Sequence, residues 1–491
     1  MPIVVNNSNY ALINLTARSG WMELTVVCGE YLLGKDHQAL FSYLKDDAKT
    51  VIVEKKYVDK DYRDTFSQFY SKKFAQYPST SYRLHFFRST VTMVDLFELS
   101  QHKDEYIGYA VIRPTQINSI GRTIFAPEKI AKLKGLICQT KYKAHLFGTE
   151  LEIKGFPYIS QDTDVTICAH AATWMTLRYF SERYSTYREI FPYEISQFSG
   201  DVSHGRLVPS KGLTAFEITE IFARCGFYPE VYLRNTYEKK GDASVFYRIL
   251  YYYIESGIPV VACLHEKRHA VTLIGHVSDY SKEFTGNSEG FLTGYVINDD
   301  NCLPYQLVMR QGEGKEGYCS CYHVEDIDGF IVPLYEKMYL SAEHIEGLTD
   351  GILEHPVFGV NKRSKLVSKE NLIKRIFLTS SKSYKAFRRS TPLSENLHQA
   401  YVELAMPKFI WVCELSTAEH YSLKKVVGEI LFDATANHKD KFSFLAIHYP
   451  DFILFNDRNK LGDSRDRFAM AEIKTDQLES YAMYENNLKE I

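Results

Sequence analysis

The stretch from Val245 to Asp300 constrains the fold most. In it "VFYRILYYYIESG" spaces its apolar residues as a helix does, and "IPVVACL" is the short, wholly apolar run of a buried strand. "RHAVTLIGHV" and "GFLTGYVINDD" are two further strand-like runs, parted by the turn-rich "SDYSKEFTGNSE". Upstream, "CAHAATWMTLRYFSERY" and "KGLTAFEITEIFARCGF" read as helices, the second with Thr214 at its N-cap and Gly226 near its end. Helices followed by a run of strands call for an α+β domain.

At 491 residues the chain is too long for one ordinary core. We divide it into an N-terminal α+β accessory domain (1–145), a central domain (146–335) and a C-terminal region (336–491). In the first, "LTVVCGEYLL", "YRLHFF" and "EYIGYAVI" read as strands and "DYRDTFSQFYSKKFAQY" as a helix. In the last, a basic segment over 362–389 carries ten Lys or Arg against one Glu. Leu366, Leu372, Ile373, Ile376 and Phe377 give that segment the pattern of a helix with one buried side. Four strand-like runs follow it: "KFIWVCEL", "VVGEILFDAT", "FSFLAIHY" and "DFILF". Their acidic residues Glu414, Glu429 and Asp433 read as polar strand positions.

Composition excludes several classes. A net charge of −3 gives no general case for nucleic-acid binding. No apolar run approaches the roughly 20 residues a membrane span needs, and the N-terminus lacks the pattern of a signal peptide. Nine cysteines, an odd number without framework spacing, suit reduced thiols, and the expected location is the cytoplasm.

The chemistry centres on "QDTDVTICAHAATWMT", where a polar, turn-prone run gives way to an alanine-rich helix beginning near Cys168. A helix N-terminus favours thiolate over thiol and offers a backbone N–H to an oxyanion. The base best placed for it is His269, at the entrance of a β-branched run. The next strand ends in Asn298, Asp299 and Asp300, where a carboxylate can orient the ring. Gln161, seven residues before the cysteine, can add a side-chain amide to the oxyanion site.

The order of Gln161, Cys168, "GIPVV", "HAVTLIGH" and "VINDD" resembles papain-like cysteine peptidases, in particular the bacterial type related to double-glycine leader peptidases. The resemblance covers about residues 155–305. It implies a nucleophile helix packed on an antiparallel sheet, Cys168 as nucleophile, His269 as general base and acid, Asp299 as orienting acid and Gln161 as oxyanion donor. Asp300 remains the alternative to Asp299. The expected activity is hydrolysis of a peptide or isopeptide amide in a peptide or protein substrate, with no cofactor and no metal. An acyltransferase or transglutaminase-like enzyme uses the same residues, and a binding module without turnover keeps the same fold.

Other groups receive plainer readings. His265 is the fallback base. His276, seven residues past His269, should face away by strand alternation, and His170 is structural. Cys302, Cys319, Cys321 and His323 are metal-ligand types at an uncommon zinc spacing, and fit an ordinary strand. Cys28, Cys138, Cys225, Cys263 and Cys413 read as core. The basic segment 362–389 is a candidate surface for an anionic or protein partner.

Overall fold

The computed structural model describes residues 9–32, 34–115, 119–162, 164–198, 212–282, 284–314, 317–392, 395–440, 442–458, 467–475 and 477–491. Helices and strands are mixed, and three sheets organise them. The first is an antiparallel meander of Tyr10–Asn14, Thr50–Tyr57, Ser81–Phe87, Tyr106–Ile112 and Ile120–Phe125, paired in chain order. The "LTVVC" run expected as a strand lies instead in the helix Arg18–Cys28. Trp21, Leu24 and Cys28 recur at helical spacing and are buried, while Val26 points to solvent. Burial of that stripe overrides the strand preference of the two valines.

The central sheet runs Tyr228–Leu233, Gly329–Leu334, Val260–Leu264, His269–Ser278, Leu292–Asn298, Gln306–Met309, Cys319–His323, antiparallel except for the last pair. The helices Cys168–Arg183 and Ser244–Glu255 pack against its strand His269–Ser278. Every residue from Ala169 to Phe180 is buried, so the first of these runs through the protein interior. Ala171 and Ala172 are small enough for close approach, and Thr272 Oγ1 donates to the Ala172 carbonyl at 3.1 Å. Leu136–Cys138 joins the same strand where a side chain at Gly275 would lie 2.0 Å from the Leu136 carbonyl oxygen. Only glycine permits that approach.

The third sheet orders Gly286–Asn287, Ile373–Ser380, Phe409–Ser416, Gly428–Asp433, Phe444–Tyr449, Phe452–Asn456 and Phe468–Glu472. The basic segment is therefore helical only in part. Ile373–Ser380 is an interior strand with six consecutive buried residues, and the helix begins at Ser381. Three of the segment's ten basic residues are spent inside the protein. Lys374 meets Asp350 at 2.5 Å, and Arg375 bridges Glu255 and Glu414, each at 2.7 Å by hydrogen bond. Arg388 binds Glu414 at 2.9 Å and Glu429 at 2.7 Å. Glu414 and Glu429 are polar strand positions that are fully buried and paired with arginine. Asp433, buried as well, meets Arg458 at 3.0 Å.

Several pairings cross the boundaries drawn from sequence. The hairpin Thr140–Leu146/Thr149–Gly155 straddles residue 145. Gly286–Asn287 pairs with the third sheet, and Leu488–Glu490 pairs with Leu136–Cys138. Among the described residues no helix is long and apolar enough to cross a membrane.

Candidate active site

Cys168 is the first residue of its helix and half-buried. Ile167 before it is extended and contributes no side-chain cap. The helical ladder starts with Ala171 N–H donating to the Ile167 carbonyl at 2.9 Å. The earlier N–H groups, that of Cys168 included, therefore carry the positive end of the helix dipole without an intrahelical acceptor. The turn leading in is built on Asp162, whose Oδ1 accepts from the N–H groups of Asp164, Val165 and Thr166 at 3.2, 2.8 and 2.8 Å.

His269 opens its strand directly after Arg268, which sits in the left-handed region at φ 50°. Its Nε2 lies 2.9 Å from Asp299 Oδ1, and the Cys168 side chain is near enough to act on the charge of the ring. With Nε2 directed at the carboxylate, Nδ1 is left for the sulfur. Burial of the ring opposes its charge. The hydrogen bond to Asp299, the nearby Cys168 side chain and the negative charges of Asp299 and Asp300 outweigh burial and raise the imidazole to about 10. The Tyr322 ring covers the imidazole at 5.6 Å between centroids.

The two acids differ in their bonding. Asp299 Oδ1 also accepts from the Asn301 N–H at 3.0 Å and from Asn301 Nδ2 at 3.4 Å. Asp300 lies 3.7 Å from His269 Nε2, and neither of its carboxylate oxygens accepts a hydrogen bond from another residue. Burial first, and the neighbouring Asp299 charge second, push Asp300 up to about 7 against the pull of His269. Asn298 is a scaffold residue: its amide donates to the Pro157 carbonyl at 3.1 Å and its Oδ1 accepts from Tyr305 N–H at 2.9 Å.

Gln161 joins the same group, because its Nε2 donates to Asn301 Oδ1 at 2.8 Å. A hydrogen-bonded line therefore runs Gln161, Asn301, Asp299, His269, with Cys168 beside the ring. Sequence reasoning missed Asn301, Asp162 and Tyr322. Asp162 stands in the quoted stretch before Cys168 and Asn301 directly follows Asp300, and only the fold of the turns gives them partners. Tyr322 arrives from an edge strand that no local signal links to His269.

The remaining candidates lie elsewhere. His276 is fully buried, with Nε2 2.7 Å from Glu255 and Nδ1 3.0 Å from Ser278 Oγ. A register shift between Leu273 and Gly275 interrupts the alternation used to orient it. His170 is buried on the helix, and burial lowers it to about 4. The backbone of His265 lies in a short turn, and its side chain is outside the described residues. Cys302, Cys319, Cys321 and His323 do not converge as a metal-capable group among the described residues. His269, Asp299 and Asp300 do, with ligand-type atoms within 4.8 Å of one another. Cys28, Cys138, Cys263 and Cys413 are buried and Cys225 is half-buried. Burial pushes all five thiols up to about 12.

Taken as chemistry, the site pairs a sulfur at a helix N-terminus with a ring held by a carboxylate. No protein-family model, curated protein or solved structure matches this chain.

Proposed function

We propose that this chain is a cysteine peptidase of papain-like type, cutting a peptide or isopeptide amide. The observation that carries this reading is the His269–Asp299 hydrogen bond at 2.9 Å beside Cys168, whose sulfur stands at an uncapped helix N-terminus. Three segments separated by 101 and 30 residues meet there by folding alone.

The chemistry follows from the charges. The thiol proton passes to His269, giving a thiolate and an imidazolium that Asp299 stabilises. The thiolate attacks the carbonyl carbon. The oxyanion receives the Cys168 N–H and an N–H of the Gln161 side chain, whose other hydrogen is held by Asn301. The imidazolium then gives its proton to the leaving amine as the C–N bond breaks. A water, deprotonated by the same ring, releases the acyl group from sulfur.

The test is incubation of the full chain with a mixed peptide library, read by mass spectrometry. Cys168→Ala and His269→Ala should each abolish cleavage, and Asp299→Asn should slow it about 10- to 100-fold, as loss of an orienting partner usually does. Cleavage surviving in the Cys168 variant overturns the reading. Addition of a primary amine separates hydrolysis from acyl transfer, because an acyltransferase puts the amine on the new carbonyl end in place of water.

A further inference from the structure

The Asp300 carboxylate has no role in that mechanism. It is 2 % exposed, and among the described residues neither oxygen accepts a hydrogen bond from another residue and no Lys or Arg pairs with it. Asp299 beside it is equally buried. Two adjacent buried carboxylates facing one imidazole nitrogen leave negative charge short of compensation, an arrangement that a dication satisfies.

The spacing suits a small one. A tetrahedral zinc ion with ligands at about 2.0–2.2 Å holds its ligand atoms roughly 3.4 Å apart. The separations from His269 Nε2 to the two carboxylates, 2.9 and 3.7 Å, bracket that value. One imidazole with two carboxylates is a borderline donor set that favours zinc. Calcium wants six to eight oxygens, and magnesium keeps most of its waters.

We propose that His269, Asp299 and Asp300 form an inhibitory binding site for a zinc-class divalent cation. Binding displaces the proton from Nε2, which is released to solvent, and a water fills the fourth position. A ring holding metal on Nε2 and a proton on Nδ1 has no lone pair left for the thiol proton. The ion therefore silences Cys168 without touching it. Binding depends on the geometry alone, and inhibition rests on the peptidase reading.

Calorimetry on the chelator-treated full chain tests this with zinc chloride, then magnesium chloride. Saturable binding of one zinc per chain is expected, at least 100-fold tighter than magnesium. Asp300→Asn, and independently Asp299→Asn, should each weaken it at least tenfold. Cys168→Ala should leave it within threefold, and should do so even if the chain cuts no peptide. Absence of saturable zinc binding, affinity unchanged in both acid variants, or loss of binding in Cys168→Ala, which would give the ion to the thiol, each overturns the proposal.

Discussion

At His269 two effects of similar kind pull in opposite directions. Burial of the ring favours the neutral form, and a carboxylate at 2.9 Å favours the charged one. The carboxylate wins, and the imidazole is raised to about 10. His170, two positions past the cysteine, meets only the first effect and is held neutral down to about 4. Between that value and the ordinary 6.5, the unfolded chain binds a proton that the folded one refuses, so this residue makes stability fall as pH drops through the window. His170→Gln should flatten the urea-midpoint profile between pH 6.5 and 4; an unchanged profile would remove the residue from the acid response. Cys168 and His269 were legible in sequence because each stands at a sharp change of pattern, polar run to helix and loop to strand. Asp299 and Asp300 were not separable there. Their directions are set by the turn in which Cys302 N–H donates to the Asp299 carbonyl at 3.0 Å.

Among the elements, the strand Ile373–Ser380 teaches most about what periodicity omits. Its apolar residues gave it a helical pattern and its two basic residues a surface-like one, yet the partners of those two lie on distant segments. Arg375 stands between Glu255 of the helix Ser244–Glu255 and Glu414 of the neighbouring strand, and Glu255 also holds His276. No local window contains that network. Arg375→Ala strands two buried carboxylates and should cost about 3–5 kcal/mol of stability, measured by denaturant unfolding. A loss below about 1 kcal/mol would mean that the network relaxes or admits water. By contrast, the helices Cys168–Arg183 and Ala215–Arg224 and the strands Val260–Leu264, His269–Ser278 and Leu292–Asn298 follow the sequence pattern closely. Their apolar residues stand in local runs or at helical spacing, which a short window of sequence contains. For Ala215–Arg224 the Thr214–Glu217 capping box adds a strong start signal.

For the whole molecule, the flanks hold the helix Cys168–Arg183 rather than merely adjoining it. Arg178 on that helix is buried against Asp61 of the first region at 2.5 Å, and Trp174 Nε1 donates to the same carboxylate at 3.3 Å. At its far end Arg183 bonds Asn487, next to the strand Leu488–Glu490. Such ties are invisible in sequence because charges far apart in the chain give no sign that they meet. They make Trp174→Ala a test of the whole assembly. It should cost about 3–5 kcal/mol as an emptied core position, with one cooperative loss of signal from both ends of the chain in unfolding followed by hydrogen exchange. Separate transitions for the flanks would contradict that coupling.

The central claim is that Cys168 is activated by His269. It is tested most directly by iodoacetamide alkylation of the full chain at pH 6, with each cysteine read by peptide mass spectrometry. Cys168 should react well ahead of the exposed Cys321 and the buried Cys263, and that lead should vanish in His269→Ala. Labelling of Cys168 no faster than of Cys321, or a lead untouched by the histidine substitution, would contradict the account.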